Sequence, residues 1–446
     1  MKALGLAPGA GESYFQPVEL TRVDAHWSQS QLTLEHDGSS QSWTHGAGVF
    51  VEAGGIPLEA LDLPVVDAGF GISAPEHGYD DMAEIDPRGK AVLIRDGEPT
   101  KPDGSSAFST GRISRYGLLA TKRALLASRG ARLILVTGAP GGRSAFEAFN
   151  SQRRSKDRPK LVPRGSAAVP LVVAIEPPIA QRILATPGAR VRVRLSGYQQ
   201  TDLLESNVIG VWPGEPVRPS FDPTGSIVIG AHYDHIGCDQ APDGTLTVYP
   251  GADDNASGVA AMLEIARLST ALPPPPRRLV FVAFAAEESG ALGSAQYVLQ
   301  PQPRELTPRA VINLDMVGQN HLDKDSYQNV LLASYSAQSV ALTQSLQTAA
   351  EAVGVDVRKL PALRPAGRSD DAPFALAKIP AVLLFTGMHP DHDTPRDTLD
   401  RLRPEKVILA ARFGAALVSR LAALQALNWD ASITTAPPSD PWDRPY

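Results

Sequence analysis

Cysteine is nearly missing from this chain. The single one, Cys238, excludes an internal disulfide and leaves no thiolate cluster for a metal. Long apolar runs are missing too: none reaches the ~18 residues that a bilayer-spanning helix needs. The N-terminus, MKALGLAPGAGESYF, carries one lysine but no continuous apolar stretch behind it, so no signal peptide is visible. There is no excess of positive charge. A net charge of −6 and a pI of about 5.9 argue against nucleic acid or an anionic membrane as a partner. What remains is a globular composition, 43% hydrophobic and 20% charged. At 446 residues it is long enough for about two or three domains.

The pattern changes near residue 200. Between about 25 and 200, short strand-like runs (QLTLEHDG, GKAVLIRDGEP, RLILVTG, VPLVVAIE) are separated by Gly and Pro. One helical stretch, YGLLATKRALLASRGA, precedes RLILVTG as a single αβ unit in an otherwise mostly β domain. Clustered acids and histidines are few here, and the basic RRSKDRPK (153–160) reads as a solvated loop. From 201 onward strands and helices alternate. SNVIGVW, SIVIGA, LVFVAFAA, AVINLDMV, NVLLASYS and PAVLLFTG read as strands, interleaved with helices over NASGVAAMLEIARLSTAL, SGALGSAQYVLQ, SAQSVALTQSLQTAAEAVG and PEKVILAARFGAALVSRLAALQAL. Such alternation predicts an α/β fold: a mixed, mostly parallel sheet covered by helices on both faces. The expected division is therefore 1–24, 25–200, 201–430 and a Pro-rich tail, 431–446.

The polar residues fall where such a sheet binds ligands. SIVIGA is followed at once by His232, Tyr233, Asp234 and His235; LVFVAFAA by Glu287 and Glu288; AVINL by Asp315; AVLLFTG by His389, Asp391, His392 and Asp393. Four strands thus release acids or histidines at their C-terminal ends, the ligand-binding edge of an open α/β sheet. Structural burial alone would scatter them over both edges. Carboxylates and imidazoles without thiolates suit a hard or borderline cation. His232 and Asp234, two apart, face the same way on an extended segment, so the Asp234 carboxylate is expected to accept from the His232 ring nitrogen that does not touch metal. PGADDNASG (250–258) reads equally well as a helix N-cap or as an acidic turn that points Asp253 into the site.

GAHYDHIG, PGADDNASGVAAMLEIAR, FVAFAAEESGALGS, NLDMVG and SDDAPF…IPAVLLFTGMHPDHDTPRDT stand in an order and spacing that resemble the co-catalytic di-zinc aminopeptidases of peptidase clan MH. That clan also holds glutamate carboxypeptidases, glutaminyl cyclases and transferrin receptors. The similarity covers 201–427. The half before 200 resembles a protease-associated domain, most clearly in VVDAGFGISAPEHGYDDMAEIDPRGKAVLIRDG. LGLAPGAGESYFQPVEL is similar to the segment that completes the peptidase domain from its N-terminal side, and relatives carry more chain before it.

The resemblance implies a zinc exopeptidase fold, two zinc ions per chain, peptide substrates with a free N-terminus, and a location outside the cytoplasm. Residue by residue it implies that His232 and Asp315 hold one ion, that Asp253 bridges both, and that Glu288 and His392 hold the other. Glu287 would be the general base, taking the proton of the water between the ions, with Asp234 behind His232. Two departures touch the second ion. HPDHDTPRDT puts Asp393 where relatives have histidine, leaving His392, Asp393 or His389 as the last ligand, with His392 preferred for its imidazole. SDDAPF carries Asp371 where many relatives have histidine. Asp397 is either a partner of the ligating histidine or a helix cap. The rival readings are a carboxypeptidase, which needs an arginine-lined pocket from Arg364 or Arg368, and a non-catalytic receptor-like binding protein, which would not retain the EE pair.

Overall fold

The computed structural model describes residues 1–52, 62–109, 114–138, 159–213, 225–240, 243–360 and 369–433. Arg364, Arg368, most of RRSKDRPK and the Pro-rich tail from 434 lie outside these residues. The chain divides into two compact units. One is Leu20–Leu203; the other joins Met1–Glu19 to Leu204–Tyr446.

The Leu20–Leu203 unit is built on strands β1 (Phe15–His36), β2 (Ser39–Thr44), β3 (Val49–Glu52), β4 (Leu63–Asp67) and β5 (Ala91–Arg95), helix α1 (Leu119–Ser128), strands β6 (Leu133–Thr137), β7 (Lys160–Pro163) and β8 (Leu171–Ile175), helix α2 (Pro177–Leu184) and strand β9 (Arg190–Trp212). β4, β5, β6 and β8 run parallel in that order, with β3 antiparallel at the edge. The expected αβ pair is α1 followed by β6. Helix α2 was not expected: two prolines fill its first turn, where the missing N–H groups cost nothing, and Ile179, Ala180 and Ile183 form its buried stripe.

The second unit contains β10 (Gly225–His232), α3 (Gly258–Thr270), β11 (Arg278–Phe284), α4 (Leu292–Leu299), β12 (Thr307–Leu314), β13 (Val330–Tyr335), α5 (Val340–Val353), β14 (Asp356–Lys359), α6 (Asp371–Leu376), β15 (Ala381–Phe385) and α7 (Pro404–Ala423). The sheet order is β14-β13-β15-β12-β10-β11-β9, and all pairs are parallel except β13–β15 and β11–β9. This is the expected fold class. Its long apolar runs follow from burial on both faces, since β10 is buried at every residue. Alternate side chains serve different layers. Ile227, Ile229, Phe281 and Ile312 pack with α3 and α7, while Val228, Val280, Val282 and Val311 pack with Tyr297 of α4 and Phe374 of α6. The sheet is clamped from both sides, and its strand ends become rigid mounts.

The N-terminal segment belongs to this second unit by pairing. Ala7 and Pro8 lie opposite Val211 and Gly210, and Leu6 enters the core. Buried Asn207 donates to Gln16 Oε1 (2.9 Å) and to the Gly293 carbonyl (2.8 Å), while accepting from Ala285 N (3.0 Å). It thereby fixes the end of β11 against the start of α4.

Candidate metal centre

β10 ends on His232 itself, whose side chain is 1% exposed. β11 ends at Phe284, and the chain turns through Ala286 (φ 57°) before Glu287 and Glu288. β12 ends one residue before Asp315, and β15 ends at Phe385 with 389–393 beyond it. These four strands are parallel neighbours, so their C-terminal ends meet on one edge.

The acidic turn 250–258 crosses that edge and is stitched to the segment after β12. Asn255 donates to the Leu314 carbonyl (2.9 Å) and accepts from Gly258 N (3.0 Å) and Met316 N (3.2 Å). Ser257 Oγ donates to the Asp253 carbonyl (2.7 Å) and accepts from Val317 N (3.0 Å). Asp397, fully buried, accepts from Asp253 N (2.8 Å) on one oxygen and from Asp254 N (3.1 Å) on the other.

The two aspartates of this turn diverge because Asp254 (φ −108°, ψ 90°) and Asn255 (φ −134°, ψ 38°) leave helical geometry. The structure therefore corrects the expected place of Asp253. Its Oδ1 accepts from Gly318 N (2.6 Å) and its Oδ2 faces His389 Nε2 at 3.0 Å, both side chains being fully buried behind the site. Asp254 is the one in the pocket. Its Oδ1 lies 3.4 Å from His232 Nε2, its Oδ2 3.3 Å from His392 Nε2 and 3.9 Å from His235 Nδ1.

Asp234 is also placed differently from the expectation. β10 stops at His232, and beyond it the chain brings the Asp234 backbone carbonyl, not its carboxylate, to His232 Nδ1 (3.0 Å, against 3.8 Å for Oδ1). The carboxylate instead accepts from Glu287 N (3.0 Å) and Glu288 N (3.2 Å). It clamps the EE pair much as Asp397 clamps the DD pair.

Two groups of donors result, and they share Asp254. One is His232, Asp254 and Asp315; the other is His235, Asp254, Glu288 and Asp393, each offering one atom within 4.8 Å of all the others. His232 Nε2 lies 3.4 Å from Asp254 Oδ1 and 3.4 Å from Asp315 Oδ1. Ligands on tetrahedral bonds of 2.0–2.1 Å stand about 3.4 Å apart, so the first group fits a zinc ion. In the second, His235 Nδ1 stands 2.9 Å from Glu288 Oε1 without hydrogen-bond alignment, and the buried His235 Nε2 has no hydrogen-bond partner among the described residues. Donors gathered closely but not bonded to one another are what a cation pocket requires.

His392 stands beside the second group, its Nδ1 3.0 Å from Asp393 Oδ2. His389 is turned toward Asp253. Asp371 accepts from Ser369 N (3.1 Å) at the start of α6. Glu287 belongs to neither group, yet its Oε2 is 4.0 Å from His232 Nε2.

The electrostatics carry the same demand. Burial pushes Glu287 up to about 10, Asp254 to about 6 and Asp370 to about 7, with neighbouring carboxylates adding to each. Burial pulls His232 down, but Asp315 and Glu287 more than reverse it. Asp234 is raised by burial, offset by His232 and by the two backbone donors of the EE pair. Crowded carboxylates disfavour one another's charge here, and a divalent ion inverts that field.

Sequence reasoning missed Asp254 and His235 as members of the donor groups. For Asp254 the signal was present, since either aspartate of the DD pair could have faced inward. His235 carried a signal only in its nearness to His232.

Residues 207–418 match Peptidase family M28. Aminopeptidase YwaD of Bacillus subtilis is 32% identical over 216 residues, 46% of this chain and 42% of that relative. Leupeptin-inactivating enzyme 1 of Streptomyces exfoliatus is 31% identical over 183 residues, 41% and 36% of the two chains. The matches thus span less than half of these curated relatives. Among solved structures, an aminopeptidase from Aneurinibacillus sp. strain AM-1 covers 98% of this chain and 88% of its own at 23% identity and a TM-score of 0.58, which bears on the fold. The matched segment contains every residue of both donor groups. No helix among the described residues is long and apolar enough to cross a membrane.

Proposed function

We propose that the chain is a metalloaminopeptidase that removes N-terminal residues from peptides. The observation that carries this reading is the pair of donor groups joined through Asp254, with Glu287 beside them but outside both. The relatives' names supply the amino-terminal direction. His232, Asp254 and Asp315 would hold zinc, and Asp254 and Glu288 contribute to a second cation. Bound there, such ions supply Lewis-acid polarisation of a carbonyl and lower the pKa of water toward neutrality.

Everything else is the work of this chain's own groups. Glu287 accepts the water proton at its carboxylate and passes it to the leaving amine. Asp234 sets that carboxylate's direction through Glu287 N, and aligns Glu288 through the next N–H. The Asp234 carbonyl at His232 Nδ1 fixes the ring so that Nε2 faces Asp254 and Asp315. Asp397 and Asn255 hold the acidic turn in register with Asp315. The Leu20–Leu203 unit is read as a protease-associated domain on the resemblance of 65–97, and a location outside the cytoplasm is read from the resemblance of 201–427 to the di-zinc aminopeptidases.

The test is hydrolysis of a free-amine peptide and its N-acetylated twin, with and without chelator. Cleavage confined to the free-amine peptide, lost on chelation and restored by zinc, is the expected result. Cleavage of the acetylated twin at its carboxyl end points to a carboxypeptidase. Metal binding without cleavage of either peptide refutes the reading.

A further inference from the structure

The two donor groups are not equivalent. The first offers one imidazole and two carboxylates; the second offers one imidazole and three. The additional carboxylate is Asp393, and the imidazole is His235, from the loop after β10 and not from the 389–393 segment. His235 is equipped for this. Its side chain is 9% exposed, its Nδ1 is 2.9 Å from Glu288 Oε1 without hydrogen-bond alignment, and its Nε2 is buried with no hydrogen-bond partner among the described residues. His392, by contrast, presents Nδ1 to Asp393 Oδ2 at 3.0 Å and Nε2 to Asp254 Oδ2 at 3.3 Å, a position that backs two carboxylates of the pocket.

The count of donors sets the coordination number. Zinc in a catalytic site takes about three protein ligands and keeps its fourth, tetrahedral position open. The first group leaves such a position. Four protein ligands would close a tetrahedral ion, and only an ion that accepts five or six ligands keeps room for a reacting molecule. Three oxygens to one nitrogen is a hard set, and oxygen-rich octahedral sites belong to Mg²⁺, Ca²⁺ and Mn²⁺. Of these three, only Mn²⁺ belongs to the first-row divalent series that binds mixed nitrogen and oxygen sites, so it is the one matched to a set with a single imidazole.

We propose that His235, Asp254, Glu288 and Asp393 form a Mn²⁺-accepting pocket beside a zinc pocket formed by His232, Asp254 and Asp315, so that the centre is heterometallic. This rests on the two-cation reading above and adds the identity of one ligand and one ion.

The experiment uses the full chain stripped of metal, reloaded with one equivalent of Zn²⁺ and then titrated with Mn²⁺. Loss of the six-line resonance of free Mn²⁺ counts bound ions, and elemental analysis counts zinc. The expected result is one Mn²⁺ beside one retained Zn²⁺. Asp393→Asn and His235→Ala should each weaken Mn²⁺ binding by about tenfold or more while the zinc count stays at one; loss of an outer partner alone typically costs 10–100-fold. Asp393→His should shift the pocket toward a second zinc.

A one-zinc protein that takes a second zinc but no Mn²⁺ overturns the inference. So does loss of the second ion in His392→Ala but not in His235→Ala, which would restore the ligand set expected from sequence. Both outcomes leave the two-cation reading intact. A stripped protein that binds no zinc defeats that reading instead.

Discussion

Asp397 lies in none of the donor groups, yet it should control them. Its two oxygens accept from Asp253 N at 2.8 Å and Asp254 N at 3.1 Å in a fully buried setting. Hydrogen bonds to a charged acceptor contribute about 1.5–3 kcal/mol each, and an unmatched buried donor costs a similar amount. Asp397→Ala removes both acceptors, so a loss of roughly 3–6 kcal/mol is expected. At about 2 °C per kcal/mol for a unit of this size, the melting temperature should fall by roughly 6–12 °C. Asp397→Asn keeps one acceptor and turns an amide N–H toward the other donor, so about half of that loss is expected. Because Asp254 serves both pockets, slack in its backbone should also weaken zinc binding by about 10–100-fold, the usual range for groups behind a ligand. Thermal melting of the metal-free variants, followed by competitive zinc titration, measures the two effects separately. If Asp397→Ala melts within about 1 °C of the parent and binds zinc within about twofold, the two hydrogen bonds of Asp397 are dispensable and the clamp argument fails.

Glu287→Gln keeps the shape and should retain bound metal while slowing turnover by about 10²–10⁴-fold; an unchanged kcat removes Glu287 from the role of base. Asp254→Ala should lose metal from both pockets, whereas Asp253→Ala, behind the site, should lose stability first. Equal metal loss in the two variants, read by elemental analysis, contradicts the divergence of the pair. In metal-free protein Asp254 (about 6), Asp370 (about 7) and Glu287 (about 10) are raised above their ordinary values, chiefly by burial, so the folded state holds protons that the unfolded chain releases. That stability is present below about pH 4 and is lost as pH rises, through about 6 and 7 for the two aspartates and on through about 10 for Glu287. The melting temperature of chelated protein should therefore fall between about pH 5 and 8 relative to an Asp370→Asn variant, and the gain from added zinc should grow; parallel profiles count against it. Gly258→Ala would drive a methyl group into Asn255 Oδ1 and the Leu314 carbonyl, two atoms that lock the acidic turn. A cost of about 1–3 kcal/mol or more is expected, visible in melting and in zinc affinity together.

The architecture was legible because the strands are buried on both faces. LVFVAFAA and SIVIGA are continuous apolar runs, and nothing but a covered parallel sheet accommodates several of them between helices. Strand ends were legible for the same reason, since acids after such runs have one edge on which to gather. Which of two adjacent carboxylates faces the pocket was legible at Glu287 and Glu288 only through resemblance, and was misread at Asp253 and Asp254. The direction of that pair depends on the backbone conformation of two residues inside the turn, Asp254 and Asn255, and residue types do not encode it. His235 escaped for a related reason. Strand alternation predicts side-chain direction up to His232, where β10 ends, and past that point periodicity carries no information. Asp397 was left between two roles. Its carboxylate instead accepts from Asp253 N and Asp254 N, while the adjacent 3₁₀ turn Leu399–Arg401 receives no side-chain cap.

The unit that carries the donor groups is interrupted in the chain, whereas Leu20–Leu203 is continuous. During N-to-C synthesis the continuous unit can finish first, while the other waits for its last helix to leave the ribosome. The two ends of the continuous unit lie side by side, with Thr21 donating to Asp202 at 2.8 Å. Once folded, it therefore delivers residues 19 and 204 as neighbours. Closing an unstructured loop of that length would cost about 5 kcal/mol in chain entropy. The insertion removes most of that cost in advance, so the peptidase sheet nucleates as though its N-terminal segment were attached by a short turn.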